Sequence, residues 1–482
     1  MRFKLVFSSI GKILLIIGGC MLLPLLWSLY YYESDALPII YAMLITLTVG
    51  GILNFFLKSK ETIRQREGFA IVTLGWVFAS IFGSLPYLLS GTFTSFTDAF
   101  FETMSGFTTT GSSVIPNIEA LSHGILFWRC LTQWLGGMGL VVLFVALLSQ
   151  IGGGGLQMFK AESPGGRLAE KLKPRMQESA KILWTTYVIL SVVLVMLLLL
   201  GGMNFFDALC HSFGTMATGG LSTKNLSIGY YDSAFIEWVI IIFMFAAGTN
   251  LALYYLAISK RTNSFWRSEE FRLYLFIILG STLFVFLNVM LKEPGGIEET
   301  FRTAAFQAVS MTTTTGFVTV DYNQWPAFSK IMLILLMFVG GCSGSTGGSI
   351  KVGRLLILLK HTTVEIFRLV HPRSVKYLKI GNKTIQDSLV INVMQFFFLY
   401  ITAFFIGTAI MGALGLDIIE AMTSVISALC NVGYGLGDVG PTGNFAFIPP
   451  VGKWVLSFLM LLGRLEIFTV LALFLPEVWK HK

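Results

Sequence analysis

The stretch at 98–113 reads DAFFETMSGFTTTGSS, a semi-apolar run that ends in a Thr/Gly-rich string. Strings of the same build return at 207–222 (DALCHSFGTMATGGLS), 303–318 (TAAFQAVSMTTTTGFV) and 420–435 (EAMTSVISALCNVGYG). Aligned on Gly111, Gly220, Gly316 and Gly433, all four carry an alanine twelve positions upstream: Ala99, Ala208, Ala304 and Ala421. Six positions upstream stands a small residue, Ser105, Gly214, Ser310 or Ser427. Thirteen upstream stands an acid in three copies (Asp98, Asp207, Glu420) and Thr303 in the other. Agreement at so many offsets marks an internal repeat with a unit of about a hundred residues.

Composition says what surrounds the repeat. Of 482 residues, 55% are hydrophobic and only 12% charged, and the mean hydropathy is +0.75, outside the range of soluble domains. Apolar runs long enough to cross about 30 Å of hydrocarbon lie near 10–31, 37–57, 68–90, 124–150, 181–202, 235–258, 272–292, 388–412 and 450–476, with a run at 328–341 that breaks early. The first is too long for a signal peptide and lacks a small-residue cleavage site, so it is expected to be retained as a span. Between spans, 10 to 14 helical residues are too few to cross. Each string is therefore expected to be a short re-entrant helix followed by irregular backbone, which membrane depth tolerates only where it lines a water-filled cavity or is buried in protein.

The expected fold is an all-α membrane protein of four span–short helix–span repeats around one axis. Two N-terminal spans (1–67) precede repeats over 68–160, 161–260, 261–362 and 363–482. Lys and Arg gather at the N-terminus, 58–66, 160–181, 260–272, 351–383 and the C-terminus. If every run crosses, these stretches share one side, which the positive-inside rule makes the cytoplasm, together with both chain ends. The net charge of +8 is thus a signal of topology and does not call for nucleic acid. Each short segment follows an outward-going span, so all four enter from the outer face.

A dehydrated monovalent cation needs oxygen ligands of modest field strength, which rings of backbone carbonyls and threonine hydroxyls supply without a fixed charge that would trap it. Thr109-Thr110-Gly111, Thr218-Gly219-Gly220, Thr314-Thr315-Gly316 and Asn431-Val432-Gly433 have that chemistry and no carboxylate. Glycine lets successive carbonyls turn the same way, and each short helix would aim the negative end of its dipole at the centre. The candidate cation ligands are Thr110, Gly111, Gly219, Gly220, Thr315, Gly316, Val432 and Gly433. Tight turns between spans would explain one such string, not four in register.

With these strings go Gln133-Trp134-Leu135-Gly136-Gly137-Met138-Gly139 after the first, Gly340-Gly341-Cys342-Ser343-Gly344-Ser345-Thr346-Gly347-Gly348 after the third, and Gly463-Arg464-Leu465-Glu466 near the end. Together they resemble the TrkH family, membrane subunits of bacterial Trk potassium-uptake systems within the Trk/Ktr/HKT superfamily, over nearly the whole chain. The two extra N-terminal spans are more similar to TrkH than to Ktr-type subunits. The resemblance implies potassium uptake across the bacterial inner membrane and a homodimer with one pore per protomer. It also implies regulation by a cytosolic nucleotide-binding ring, TrkA, and an intramembrane loop that obstructs the pore from inside. Tyr434, after the fourth glycine, departs from the shorter side chains of that pattern.

Gate candidates follow. In Gly340 to Gly348, five of nine residues are glycine and three are Ser or Thr, a composition that holds a helix poorly. Gly340, Gly341, Gly344, Gly347 and Gly348 are expected to form an unwound segment beneath the strings; a small-residue packing face for a neighbouring helix is the competing reading. Arg464, midway along the last apolar run, costs at least about 2.5–3.5 kcal/mol unless it faces water or a partner. It is assigned to the pore side as an electrostatic gate element, against a structural salt bridge to another span. Glu466, two residues on, would project to another helix face.

Other patterns are set aside. Gly435-Leu436-Gly437-Asp438-Val439-Gly440 spells a dinucleotide fingerprint but follows no strand and precedes Pro441 instead of a helix. Gly152 to Gly155 is expected to end a span. The five histidines have no metal-ligand spacing, and Cys20, Cys130, Cys210, Cys342 and Cys430 are scattered singly, as small apolar fillers. No nucleophile–base pair or metal cluster for an intramembrane enzyme stands out, so the potassium ion is expected as cargo, with no organic cofactor. Secondary transport, with potassium coupled to a proton or sodium, is the nearest rival. The basic stretches 160–181 and 351–383 are the expected docking surface for a regulatory partner.

Overall fold

The computed structural model describes residues 1–57, 63–139, 176–258, 264–292, 295–373, 377–381 and 383–479. The expected features at Gly152 to Gly155 and over 160–175 lie outside them. Helices dominate, and the described strands form one two-residue antiparallel hairpin, Lys379–Ile380 with Lys383–Thr384. Among the described residues, six helices are long and apolar enough to cross a membrane: Phe3–Tyr30, Ala36–Phe56, Gln65–Leu89, Ala180–Leu200, Glu269–Lys292 and Asp387–Ala413. Two described helix pairs are long and apolar enough only when taken together and are sharply bent, Ala234–Ala247 with Leu251–Ala257 at 93° and Pro450–Arg464 with Phe468–Phe474 at 110°.

The N-terminal hairpin packs through small residues: Gly11 and Gly50 face each other, and a Cβ on either would strike the other's carbonyl oxygen at 2.8–2.9 Å. Close backbone approach of this kind holds helices together in lipid, where burial alone gives no driving force between them.

Short helices occupy the four expected places: Phe96–Phe107, Phe205–Ala217, Ile297–Thr312 and Ile418–Cys430. Acids stand in the first turn of each, Asp98, Asp207, Glu298 with Glu299, and Glu420, complementing the positive helix end. The third acid sits earlier than the alignment places it because that helix is longer, 16 residues against 12 or 13. Each short helix packs between the helix that follows it in its own repeat and the corresponding helix of the preceding repeat. The first touches His123–Gly137 and Pro450–Arg464, the second Ala234–Ala247 and His123–Gly137, the third Ala327–Phe338 and Ala234–Ala247, and the fourth Pro450–Arg464 and Ala327–Phe338. The order closes on itself, so the four C-terminal ends are driven toward one centre.

Candidate functional site

Every short helix ends in the same turn. The residue two before the anchor glycine is left-handed, with φ of +53° at Thr109, +54° at Thr218, +60° at Thr314 and +54° at Asn431. Its N–H donates to the carbonyl three residues back (Gly106, Thr215, Met311, Ala428), and the next N–H donates to the small residue five back: Thr110 to Ser105, Gly219 to Gly214, Thr315 to Ser310 and Val432 to Ser427, at 2.8–3.0 Å. This is a Schellman closure. Glycine usually fills its left-handed position; a β-branched threonine there costs about 1–2 kcal/mol, and three of the four copies accept that cost. Strain of this kind persists where surrounding structure over-determines it.

The anchor glycines follow at φ of +86° (Gly111), +72° (Gly220), +80° (Gly316) and +104° (Gly433), and together they close a ring. A Cβ on Gly111 would overlap the carbonyl oxygen of Gly219; on Gly220, that of Thr315; on Gly316, that of Val432; on Gly433, that of Thr110, at 2.8 Å. Each glycine thus lies against the carbonyl that precedes the anchor glycine of the next repeat, and the fourth returns to the first. All eight candidate ligand residues meet in this ring, buried from outside solvent.

Polar groups brace the ring from behind. Arg129, 1% exposed, donates from Nε to Glu102 at 2.7 Å and from Nη1 to the carbonyl of Ser222 at 2.7 Å. Glu102 in turn accepts from the Val114 N–H at 2.9 Å and from Ser113, so one buried ion pair ties the strands that leave the first two strings. Ser112 Oγ donates to the Gly433 carbonyl at 3.0 Å, and Gln133 donates to that of Gly219. Away from the ring, Lys453 pairs with Asp98 at 2.6 Å and Arg302 with Glu237 at 2.8 Å, joining the fourth repeat to the first and the third to the second.

On the other side of the ring the following helices break. His123–Gly137 ends at Met138-Gly139, Ala234–Ala247 at Gly248, Ala327–Phe338 at Val339 and Pro450–Arg464 at Leu465. Sequence reasoning anticipated only the third break. There the chain runs without helix to Val352, and the segment seats directly on the strings: Gly348 N–H donates to Thr314 Oγ1 at 2.7 Å, and Thr218 Oγ1 lies 3.3 Å from Thr346 Oγ1. A Cβ on Gly347 would meet the Thr313 carbonyl at 2.8 Å, and one on Gly348 the Cys430 carbonyl at 2.6 Å. The second repeat holds it as well, through Cys342 N–H to the Gly248 carbonyl at 2.8 Å and Leu251 N–H to the Gly344 carbonyl at 3.2 Å. The glycines there serve close approach of loop backbone, not a helix packing face.

Arg464 reaches this segment. Nη1 donates to the Thr346 carbonyl at 2.7 Å, and Nη2 to the Gly136 and Gly137 carbonyls at 2.6 and 2.9 Å. Glu466 differs from expectation: the helix has already ended, its φ is +55°, and it pairs with Arg354. The Glu466 pair joins the last apolar run to the Val352–Val370 helix. Two charges of the basic stretch 351–383 turn inward, since Lys351 donates to the Gly347 carbonyl and Arg354 holds Glu466. Sequence reasoning missed Arg129, Glu102 and Gln133; the available signal was an ionisable or amide side chain inside an otherwise apolar helix.

Among known proteins, a family model described as a cation transport protein, TrkH, matches residues 38–480. The Trk system potassium uptake protein TrkH of Salmonella typhimurium is 40% identical over the full length of both chains. The Trk system potassium uptake protein TrkG of Escherichia coli is 34% identical over 95% of each. The crystal structure of the potassium transporter TrkH from Vibrio parahaemolyticus superposes with a TM-score of 0.89 at 37% identity, covering all of both chains. The chain is accordingly a multi-pass membrane transport protein and a member of the TrkH family.

Proposed function

We propose that this chain carries potassium ions across the bacterial inner membrane through a gated filter of backbone carbonyls, with both chain ends in the cytoplasm. The ring in which Gly111, Gly220, Gly316 and Gly433 lie against the carbonyls of Gly219, Thr315, Val432 and Thr110 carries the reading. Four converging strands present main-chain oxygens with no carboxylate among them, the ligand chemistry that replaces the water shell of a monovalent cation. Relatives that match it end to end are named potassium uptake proteins. The repeats over 68–160, 161–260, 261–362 and 363–482 each supply one strand. The 340–351 segment, held by Arg464, is the gate: it lies against the Thr218, Thr314 and Asn431 end of the ring. Homodimerisation, and a cytosolic nucleotide-binding ring acting on the basic stretches, complete the proposal; Lys351 and Arg354 are engaged internally, which leaves docking to the residues beyond them. Coupled symport is less favoured: Glu102, the buried acid directly behind the ring, is held by Arg129 and is poorly placed to relay a proton.

The test is Rb⁺ uptake by purified protein in lipid vesicles, with Na⁺ as competitor, for wild type and Gly316→Ser. Uptake falls sharply in the variant if the third string lines the path. Equal uptake by both removes it from the path.

A further inference from the structure

Gln133 lies in the first repeat, on the His123–Gly137 helix, yet its side chain serves the second string. It is fully buried. Its Nε2 donates to the Gly219 carbonyl, and its Oε1 accepts from the Leu221 N–H at 3.0 Å. The two bonds straddle Gly220, as a neighbouring strand would.

Comparison across the ring shows what this does. The four carbonyls that face neighbouring glycines belong to Thr110, Gly219, Thr315 and Val432. Thr110 and Thr315 carry side chains anchored to Thr108 and Thr313, Oγ1 to Oγ1, at 2.8 and 2.7 Å, and Val432 is packed in the core. Gly219 alone of the four has no side chain to steady its peptide, and glycine backbone is the least restrained. The space its Cβ would occupy is already filled: Gln133 Cδ and Nε2 lie 2.5 Å from that point. The amide sits where the missing side chain would be.

We propose that Gln133 is a specificity-determining residue, supplied by the first repeat to complete the second strand of the filter. It fixes the direction of the Gly219 carbonyl and engages one of its two lone pairs. Discrimination between cations depends on the number and field strength of the coordinating carbonyls, so a carbonyl freed from this donor shifts the preference without closing the path. The inference rests on the filter reading above.

The experiment measures K⁺ over Na⁺ preference and total Rb⁺ uptake in vesicles for Gln133→Met, which keeps the length and removes the donor, and for the milder Gln133→Asn. Both are expected to conduct, with the preference reduced by between about twofold and tenfold, the range of one net hydrogen bond. Gly219→Ala alone is expected to lose most uptake, and Gln133→Ala added to it to restore part, because the new methyl gains the vacated space. Gly316→Ser, on a different strand, is the control. Wild-type preference in both Gln133 variants, with Gly316→Ser defective, overturns the role of Gln133 and leaves the filter standing. Wild-type uptake in Gly316→Ser overturns both.

Discussion

At the ring, four turns share one set of torsions and hydrogen bonds; at the far end of the helix that follows in each repeat, the described chain departs from the helix in different ways. One stops at Gly137, one bends by 93° at Gly248, one by 110° after Arg464, and one opens into the segment that ends at Val352. A site that strips water from an ion needs equivalent ligands from all sides, and equivalence holds the four turns alike. Control needs the opposite. The proposed gate, a single unwound segment, comes from the third repeat, and the other three contact it: Gly248 offers a carbonyl to Cys342, Arg464 holds Thr346, and Gly136 and Gly137 hold Arg464.

The sharpest way to break this comparison is at the level that is alike. Gly316→Ser brings a side chain onto the Val432 carbonyl at a φ of +80°. A left-handed cost of about 1–2 kcal/mol and an overpacking cost of similar size together predict Rb⁺ uptake lower by about a hundredfold, at 1.4 kcal/mol per decade. The corresponding change at Gly111 or Gly220 should be as severe, since each faces a carbonyl in the same way. Full activity in one of them would show that the strands are not equivalent.

Arg129→Met tests the bracing behind the ring. It leaves Glu102 as a buried charge without its partner, a change that costs about 3–5 kcal/mol. The expected readout is a marked fall in melting temperature in detergent, with poor recovery of protein. Replacing Glu102 as well, by leucine, should recover part of the loss; no recovery would mean that the pair is not the source of the stability.

How much of this could be read beforehand follows from range along the chain. The four strings and the short helices before them were legible because Thr, Gly and small residues recur at fixed offsets, and these encode a local turn. The third break was legible for the same reason: five glycines in nine residues hold a helix poorly, although the string alone left a helix-packing face as the rival reading. The breaks at Gly248 and Leu465 were not, since a lone glycine in an apolar run is compatible with a helix. What ends the helix is tertiary, the seating of Cys342 on the Gly248 carbonyl and of Arg464 on Thr346. Glu102 and Arg129, or Gln133 and Gly219, meet only after 27 and 86 residues of chain, and no periodicity announces such a contact.

Arg464→Ala addresses the level that is unlike. It deletes three hydrogen bonds from a charged donor to the proposed gate segment and to the first repeat, bonds of a class worth about 1.5–3 kcal/mol each before relaxation. Basal Rb⁺ flux without a partner should rise, by about tenfold if one such bond's worth of closure is lost. Unchanged flux in a well-folded variant would assign Arg464 to structure alone. Glu466→Gln should give a smaller rise, because it loosens the Arg354 contact and leaves Arg464 in place.

The smallest effect separates torsion from crowding. Gly202, in the turn before the second short helix, has a φ of +93°, as unusual as any glycine of the ring, but a Cβ there would meet no atom within 4 Å. Gly202→Ala therefore carries the backbone cost without the collision, about 1–2 kcal/mol of stability, while Rb⁺ uptake stays at the wild-type level. If Gly202→Ala instead abolished uptake as Gly316→Ser should, positive torsion alone would be enough to stop conduction. The carbonyl that each ring glycine faces would then explain nothing that its backbone angle does not.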